Sequence, residues 1–281
     1  MAPYTTFHVG GQSEALYRAD NLETLQRVIA FINRERIPYL VVGRGSNLLV
    51  KDKGIDGLVI LLEGSLAAVE QENTEDMTVV AGAGLPLVDL LSYCRGAGLG
   101  GLECFAGIPG TVGGAVIMNA GAFGEVFGSR VREIQMITPR GDLLAKDRSQ
   151  LRFSYRQLEI EKGAVTVRAR LKLHRESKDE VAKHMADFLK KRKLNQPLEY
   201  PSAGSVFRNP PNEYAGRLIE NAGLKGKRIG GAMISDKHAN FIVNTGGAKA
   251  KDVLDLLNLA RETVKKETGI ELETEIKIVG N

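Results

Sequence analysis

Ala106-Gly-Ile-Pro-Gly-Thr-Val-Gly-Gly-Ala-Val-Ile-Met-Asn-Ala-Gly-Ala-Phe-Gly124 is the stretch on which the fold turns. It has glycine at 107, 110, 113, 114, 121 and 124 and no charged side chain. That composition excludes an ordinary solvated loop and a regular amphipathic helix. Glycine permits a positive φ and lets another group approach the backbone closely. A run of backbone N–H groups clear of side chains makes a concavity suited to phosphate or pyrophosphate. One Gly-Gly pair alone would mark a buried turn. Six glycines around Thr111 and Asn119, two short hydrogen-bonding side chains, point to a dinucleotide cradle. The stretch is not the GxGxxG fingerprint, because no strand–turn–helix pattern surrounds it.

Upstream, Leu22, Leu25, Val28, Ile29 and Ile32 repeat at helical spacing behind Asn21, a residue type that caps helices. The apolar run Tyr39–Val42 reads as a buried strand, and it enters a second glycine loop, Gly43-Arg-Gly-Ser-Asn47. Alone that loop is explained as well by a tight turn as by an anion nest; two glycine-rich loops after apolar strands say more together. Residues 57–62 and 78–81 read as strands. Pro86 opens a helix striped by Leu87, Leu90, Leu91 and Cys94, which residues 96–101 end.

Downstream, residues 131–138 alternate as a strand and turn at Pro139-Arg-Gly141. Residues 164–173 put Val165, Val167, Ala169, Leu171 and Leu173 on one face and Thr166, Arg168, Arg170 and Lys172 on the other. Composition changes at Arg175. A charged helix over 176–193, striped by Val181, Met185, Phe188 and Leu189, marks a domain boundary. The prolines of Gln196–Pro201 keep that segment extended. A polar turn, Ser202–Pro210, precedes a helix with Tyr214, Leu218, Ile219 and Ala222, ended by Gly223. Lys237–Asn244 is a loop entering a strand. Val253, Leu256, Leu257, Ala260 and Val264 stripe a last helix, and residues 271–279 read as a strand with Leu272, Thr274, Ile276 and Ile278 inward.

The 281 residues suffice for two or three domains. No segment approaches the roughly 20 apolar residues of a membrane span, and the N-terminus shows no export signal. Cys94 and Cys104 are therefore expected as reduced core thiols in a cytoplasmic protein, and no metal-site spacing appears. The net charge of +4 suits an anionic small ligand; without a basic–aromatic stripe it argues against nucleic acid.

Gly43-x-Gly-Ser-Asn47, Gly107-Ile-Pro-Gly-Thr-Val-Gly-Gly114, Asn119-Ala-Gly121, Tyr155-Arg156, Ala203-Gly-Ser-Val-Phe-Arg-Asn-Pro210 and Glu273-Thr-Glu-Ile-Lys277 together resemble the UDP-N-acetylenolpyruvoylglucosamine reductase (MurB) family over nearly the whole chain, in order. The resemblance implies an α+β fold: an FAD-binding domain of the vanillyl-alcohol-oxidase (PCMH) type in two lobes, and a smaller α/β substrate domain. The expected division is 1–52 joined by 271–281, then 53–177, then 178–270. The implied activity is reduction of an enolpyruvyl ether on UDP-N-acetylglucosamine to the lactyl ether of UDP-N-acetylmuramate, a peptidoglycan precursor. NADPH supplies hydride through non-covalent FAD; residues 43–50 contain neither the histidine nor the cysteine that relatives use to attach flavin. The chain resembles the shorter variant lacking a tyrosine-bearing loop. It departs from the family pattern at Gln157 and Cys104.

The resemblance implies cofactor contacts from Gly43, Arg44, Gly45, Ser46, Asn47 and Leu48; from Gly107, Ile108, Pro109, Gly110, Thr111, Gly113, Gly114, Asn119 and Gly121; and from Lys277. It implies UDP contacts from Arg192, Arg208, Asn209 and His238. The chemistry falls to Arg156, Ser205 and Glu275. Hydride addition leaves negative charge on the substrate carboxylate, which a planar guanidinium such as that of Arg156 matches. Most arginines instead make surface salt bridges. Ser205 is the expected proton donor, with Ser202 as a competitor and a plain turn serine as the ordinary alternative. Glu275 is the assisting carboxyl, with Glu273 two residues away on the same polar face. Two other functions fit the residues less well: a flavin oxidase of the same fold, and a nucleotide-binding module without catalysis.

Overall fold

A computed structural model describes residues 1–73 and 76–281. The chain divides into two compact units that interleave along the sequence: residues 15–43 with 57–190, and residues 1–14 with 44–56 and 191–281.

The 15–43/57–190 unit is built on a five-stranded antiparallel sheet. Its order is Leu143–Asp147, Val131–Ile137, Val165–Lys172, Thr78–Gly82, Val69–Asn73. The central strand keeps the expected alternation, Val165, Val167, Ala169 and Leu171 being buried and Arg168, Arg170 and Lys172 partly exposed. Thr166 departs from it: it is buried as well. Helix α1 (Leu22–Arg34) begins where Asn21 accepts a hydrogen bond from the Thr24 amide at 3.0 Å, a cap worth about 1 kcal/mol. It packs Leu25, Ile29 and Ile32 against Ile60, Ile137, Val165 and Val167. Tyr39–Val41 runs parallel to Ile55–Leu62, but it is half-buried where a buried strand was expected. Helix α2 (Leu87–Ala97) starts after Pro86 and stops at Gly98, whose φ of 67° closes the last turn. Its buried stripe Leu87, Leu90, Leu91 and Cys94 joins a core centred on Phe105 and Phe127, which meet edge to face at 5.3 Å.

The glycine stretch holds one element that its composition hid. Helix α3 (Val112–Ile117) spans the Gly113-Gly114 pair. Glycine is a poor helix former, costing about 1 kcal/mol per residue against alanine. Tertiary contacts offset that. Thr111 caps the helix by accepting from the Gly114 amide at 3.3 Å, and Val112, Ala115 and Val116 are buried. The amides of Val112 and Gly113 donate to the carbonyls of Leu85 and Ala83 at 2.9 and 2.8 Å. Helix α4 (Lys178–Asn195) buries Val181 but leaves Leu189 exposed, so the apolar stripe is shorter than its spacing suggests.

In the other unit, helix α5 (Ala215–Asn221) and helix α6 (Ala250–Thr268) enclose a core of Val206, Phe207, Leu218, Ile219, Val253, Leu256, Leu257, Ala260 and Val264. Asp52 caps α6, its carboxylate accepting from the Ala250 and Lys251 amides at 2.8 and 2.9 Å. The terminal strand is shorter than expected. Only Lys277–Val279 forms one, parallel to Leu48–Val50, and Ile278 is exposed rather than inward. Leu272 and Ile276 are buried as expected, while the segment between them pairs by single bonds only.

Candidate active site

Phe153–Ser154 and Gln157–Leu158 pair as a minimal hairpin, with Tyr155 and Arg156 at its turn. Arg156 sits at φ 57°, a left-handed conformation that few side chains adopt and that costs on the order of 1 kcal/mol or more. Two residues of the glycine stretch lie beside this turn. Asn119, buried and itself at φ 40°, donates from Nδ2 to the Ser154 carbonyl at 2.8 Å and accepts at Oδ1 from the Gly128 amide at 3.0 Å. Gly121 is the other: a Cβ built on it would meet Arg156 Nη1. The guanidinium also lies over the Tyr155 ring, 5.3 Å from its centroid.

The glycines do different work. Gly43 lies against Thr111, where a Cβ would strike the hydroxyl. A Cβ on Gly113 would come within 2.8 Å of the Ala83 Cβ, so packing alone requires glycine there. Gly114 is exposed, and the nearest atom to its missing Cβ is the Thr111 hydroxyl at 3.5 Å. Its side is exposed backbone with a single hydroxyl beside it, of the kind that accepts a cofactor. In the first loop, Gly45 has φ 60° and abuts the Tyr4 and Thr5 backbone. The amides of Arg44, Gly45 and Ser46 have no acceptor among the described residues, which leaves three consecutive donors for an anion. These features fit a dinucleotide such as FAD. Asn47 donates from Nδ2 to the Glu275 carbonyl at 3.2 Å, and its own carbonyl accepts from the Lys277 amide at 2.9 Å. Ile108, Pro109 and Gly110 lie in the loop before α3, where Gly107 has φ 82°.

Ser205 occupies a segment bonded on two sides. The Val206 amide donates to the Asn240 carbonyl and the Val206 carbonyl accepts from the Glu275 amide, at 2.9 and 2.8 Å. Glu275 is thereby bonded to the residue that follows Ser205, while Ser205 itself lies opposite Phe241. Phe207 is gripped twice by the buried Asn240 side chain, which accepts from its N–H at 2.9 Å and donates to its carbonyl at 2.8 Å. Gly204, at φ 75°, has open space where a Cβ would stand. Burial separates the two carboxylates: the Glu273 side chain is 75% exposed and pairs with Arg208 at 3.8 Å, whereas Glu275 is half-buried.

The remaining candidates are tied into the fold. Asn209 Oδ1 accepts from the Ala215 amide at 3.1 Å and so caps α5. Arg192 is buried and donates to Gln196 Oε1 at 3.4 Å. His238 meets the Phe241 ring at a tilt of 60°, accepts at Nδ1 from the Asn240 amide at 3.2 Å, and is held below the usual histidine pKa by burial. Cys94 and Cys104 are free and buried; burial pushes their thiols up to about 12 and about 11, so both are inert. Among the described residues no group of three or more histidine, cysteine or acidic side chains is placed to hold a metal, and no helix is long and apolar enough to cross a membrane. Sequence reasoning missed Asn240, whose partners are backbone atoms of a residue 33 positions away. A lone asparagine ahead of a strand gives no signal of that.

Residues 196–279 match the family model for the C-terminal domain of UDP-N-acetylenolpyruvoylglucosamine reductase, and residues 13–145 match an FAD binding domain. The chain is 42% identical over 281 residues to the UDP-N-acetylenolpyruvoylglucosamine reductase of Caldanaerobacter subterraneus subsp. tengcongensis, covering 100% of this chain and 92% of that protein. The enzyme of the same name from Syntrophomonas wolfei is 41% identical, at 100% and 93% coverage. The crystal structure of UDP-N-acetylenolpyruvylglucosamine reductase (MurB) from Thermus caldophilus superposes with a TM-score of 0.87 at 39% identity, covering 99% of this chain and 97% of that one. The α+β architecture, the exposed glycine backbone and the Val206–Glu275 backbone bond thus occur in a chain that belongs to the UDP-N-acetylenolpyruvoylglucosamine reductase family, an oxidoreductase with an FAD-binding domain.

Proposed function

We propose that this chain reduces the enolpyruvyl ether of UDP-N-acetylglucosamine to the lactyl ether, with NADPH as hydride source, as a cytoplasmic step of peptidoglycan precursor synthesis. FAD, bound without a covalent link, would supply the hydride relay between the two. The glycine backbone around Gly114 would face it in the 15–43/57–190 unit; in the other unit, taken by itself, the amides of Arg44, Gly45 and Ser46 are donors suited to an anion. In functional terms residues 1–52 with 271–281, residues 53–177 and residues 178–270 serve as two cofactor lobes and a substrate domain.

Arg156 holds the substrate carboxylate. As hydride arrives at the enolpyruvyl carbon, charge builds on that carboxylate, and a fixed guanidinium stabilises it more than it stabilises the ground state. Ser205 then delivers a proton from its hydroxyl to the neighbouring carbon. A serine hydroxyl is a weak acid, so the step relies on the strong basicity of the charged intermediate. Glu275 orients that exchange. The observation that carries the reading is the backbone bond between Glu275 and Val206, which sets a half-buried carboxyl beside the serine segment. Arg208, Asn209, His238 and Arg192 are assigned to the UDP moiety, with Arg208 exposed enough to meet a diphosphate.

Anaerobic titration tests the proposal. NADPH should bleach the yellow enzyme, and the enolpyruvyl sugar should restore the colour. Reoxidation by O₂ with a hydroxy acid as reductant, and no response to the sugar, would instead mark a flavin oxidase.

A further inference from the structure

We infer that Gly121, with Asn119, positions the Arg156 guanidinium rather than touching the cofactor. The inference rests on the reading of Arg156 given above. Three observations within the 15–43/57–190 unit carry it. The nearest atom to a Cβ built on Gly121 is Arg156 Nη1, followed by Arg156 Cζ at 3.4 Å and the Glu125 carbonyl at 3.5 Å. Gly121 has no positive φ, so its backbone would accept any residue; the one group a Cβ there would displace is the guanidinium. Asn119 has both ends of its amide occupied, at Ser154 and at Gly128, and so clamps the residue that precedes the Tyr155-Arg156 turn.

The arrangement solves a specific problem. Arginine has a long side chain with many rotamers, and aiming it at a developing charge requires a seat. Here the left-handed turn at Arg156 fixes where the side chain starts, the Tyr155 ring covers one part of the guanidinium, and the bare Gly121 backbone leaves room for Nη1. A methyl group on Gly121 clashes only with the far end of a flexible side chain and meets rigid backbone, the Glu125 carbonyl, at an ordinary contact distance of 3.5 Å, so it moves the guanidinium and little else.

The test is Gly121→Ala, Arg156→Ala and the double variant, each followed by flavin content per chain, thermal midpoint, and the two half-reactions by stopped flow. A misplacement of about 1 Å costs on the order of 100-fold in a positioned reaction. Gly121→Ala should therefore keep its flavin, its midpoint and its reduction by NADPH, and lose about 100-fold in reoxidation by the enolpyruvyl sugar. In the Arg156→Ala background the same change should cost nothing further, because the group it displaces is gone. Loss of flavin from Gly121→Ala would make the residue a cofactor contact and overturn the inference, as would additive losses in the double variant. A large fall in its midpoint would overturn it too, since a purely structural role predicts that result. If Arg156→Ala reoxidises at the wild-type rate, the reading of Arg156 itself fails, which is a different result from a silent Gly121→Ala beside a slow Arg156→Ala. Asn119→Asp serves as a second variant. It keeps the acceptor for Gly128 but sets a carboxylate against the Ser154 carbonyl, and it should slow the sugar half-reaction while sparing the NADPH one.

Discussion

Arg156 and Ser205 are held by opposite means. Around Arg156 the chain positions a side chain: the guanidinium rests against Gly121 and over Tyr155, and the backbone at its root is strained. Around Ser205 the chain positions a backbone: Val206 and Phe207 are pinned by Asn240 on one side and by Glu275 on the other. The difference follows from the length of the two side chains. A serine hydroxyl sits one bond beyond Cβ, so fixing its backbone all but fixes the oxygen. An arginine head lies five bonds beyond its Cβ, and backbone order alone leaves it free. Mutations near Arg156 should therefore change function without stability, and mutations near Ser205 should change both.

The largest expected effect tests the serine side of this contrast. Ser205→Ala removes the proton donor and leaves its backbone frame intact. Reoxidation of reduced enzyme by the enolpyruvyl sugar should fall by about 100- to 10,000-fold, the range of general-acid contributions, while reduction by NADPH stays near normal. Ser205→Cys should recover part of the rate, since a thiol is more acidic than a serine hydroxyl. An alanine form as fast as wild type would leave Ser205 a turn residue and shift the donor role to Glu275. Next in size, Arg156→Lys keeps the charge and loses the planar fork. Removing one fixed donor to a developing oxyanion costs about 100- to 1,000-fold, so the sugar half-reaction should slow by that order with the thermal midpoint unchanged.

How much of this was legible in the chain depends on where each residue finds its partner. Helices α1, α2 and α6 announce themselves by the spacing of Leu25, Ile29 and Ile32, of Leu87, Leu90 and Leu91, and of Val253, Leu256 and Leu257, because those residues answer to a core on one face. The strand 165–172 shows the same logic at period two, broken only at Thr166. Helix α3 did not show, since its support comes from the Leu85 and Ala83 carbonyls and not from its own propensity. The terminal strand is shorter than its alternation suggests for a related reason. Alternation over 271–279 reflects burial of Leu272 and Ile276, yet ladder pairing is confined to 277–279. Asn47, Asn119 and Asn240 were the hardest to read, because each bonds to backbone remote in sequence and a side-chain pattern carries no record of that.

The two neighbouring glycines of α3 sharpen the comparison at the cofactor. Gly113 is closed in by Ala83, whereas Gly114 is exposed and a Cβ on it would meet only the Thr111 hydroxyl, at 3.5 Å. Gly113→Ala forces a Cβ against a packed methyl group and should destabilise the deflavinated protein by about 1–3 kcal/mol, the usual cost of overpacking. Gly114→Val should leave the deflavinated protein's midpoint nearly unchanged and lower the flavin bound per chain. Full flavin occupancy in Gly114→Val would remove this surface from the cofactor site.

Asn240→Ala completes the comparison from the serine side, with the smallest expected effect on rate. It strips Phe207 of both partners in a buried setting and creates no new charge. Each unsatisfied buried group costs about 1–3 kcal/mol. For a chain of this size the midpoint falls by roughly 2–4 °C per kcal/mol, so a drop of several degrees is expected by calorimetry. The Val206 amide would still bond to the backbone carbonyl of residue 240, and Glu275 would still bond to Val206, so Ser205 loses one of its restraints and keeps two. The sugar half-reaction should consequently slow by much less than in Ser205→Ala, in step with the lost stability. Gly121→Ala is the mirror case, with a large loss of rate at constant midpoint. If Asn240→Ala held its midpoint while losing the sugar half-reaction, Asn240 would be acting on the substrate directly, and the division between side-chain and backbone positioning would fall.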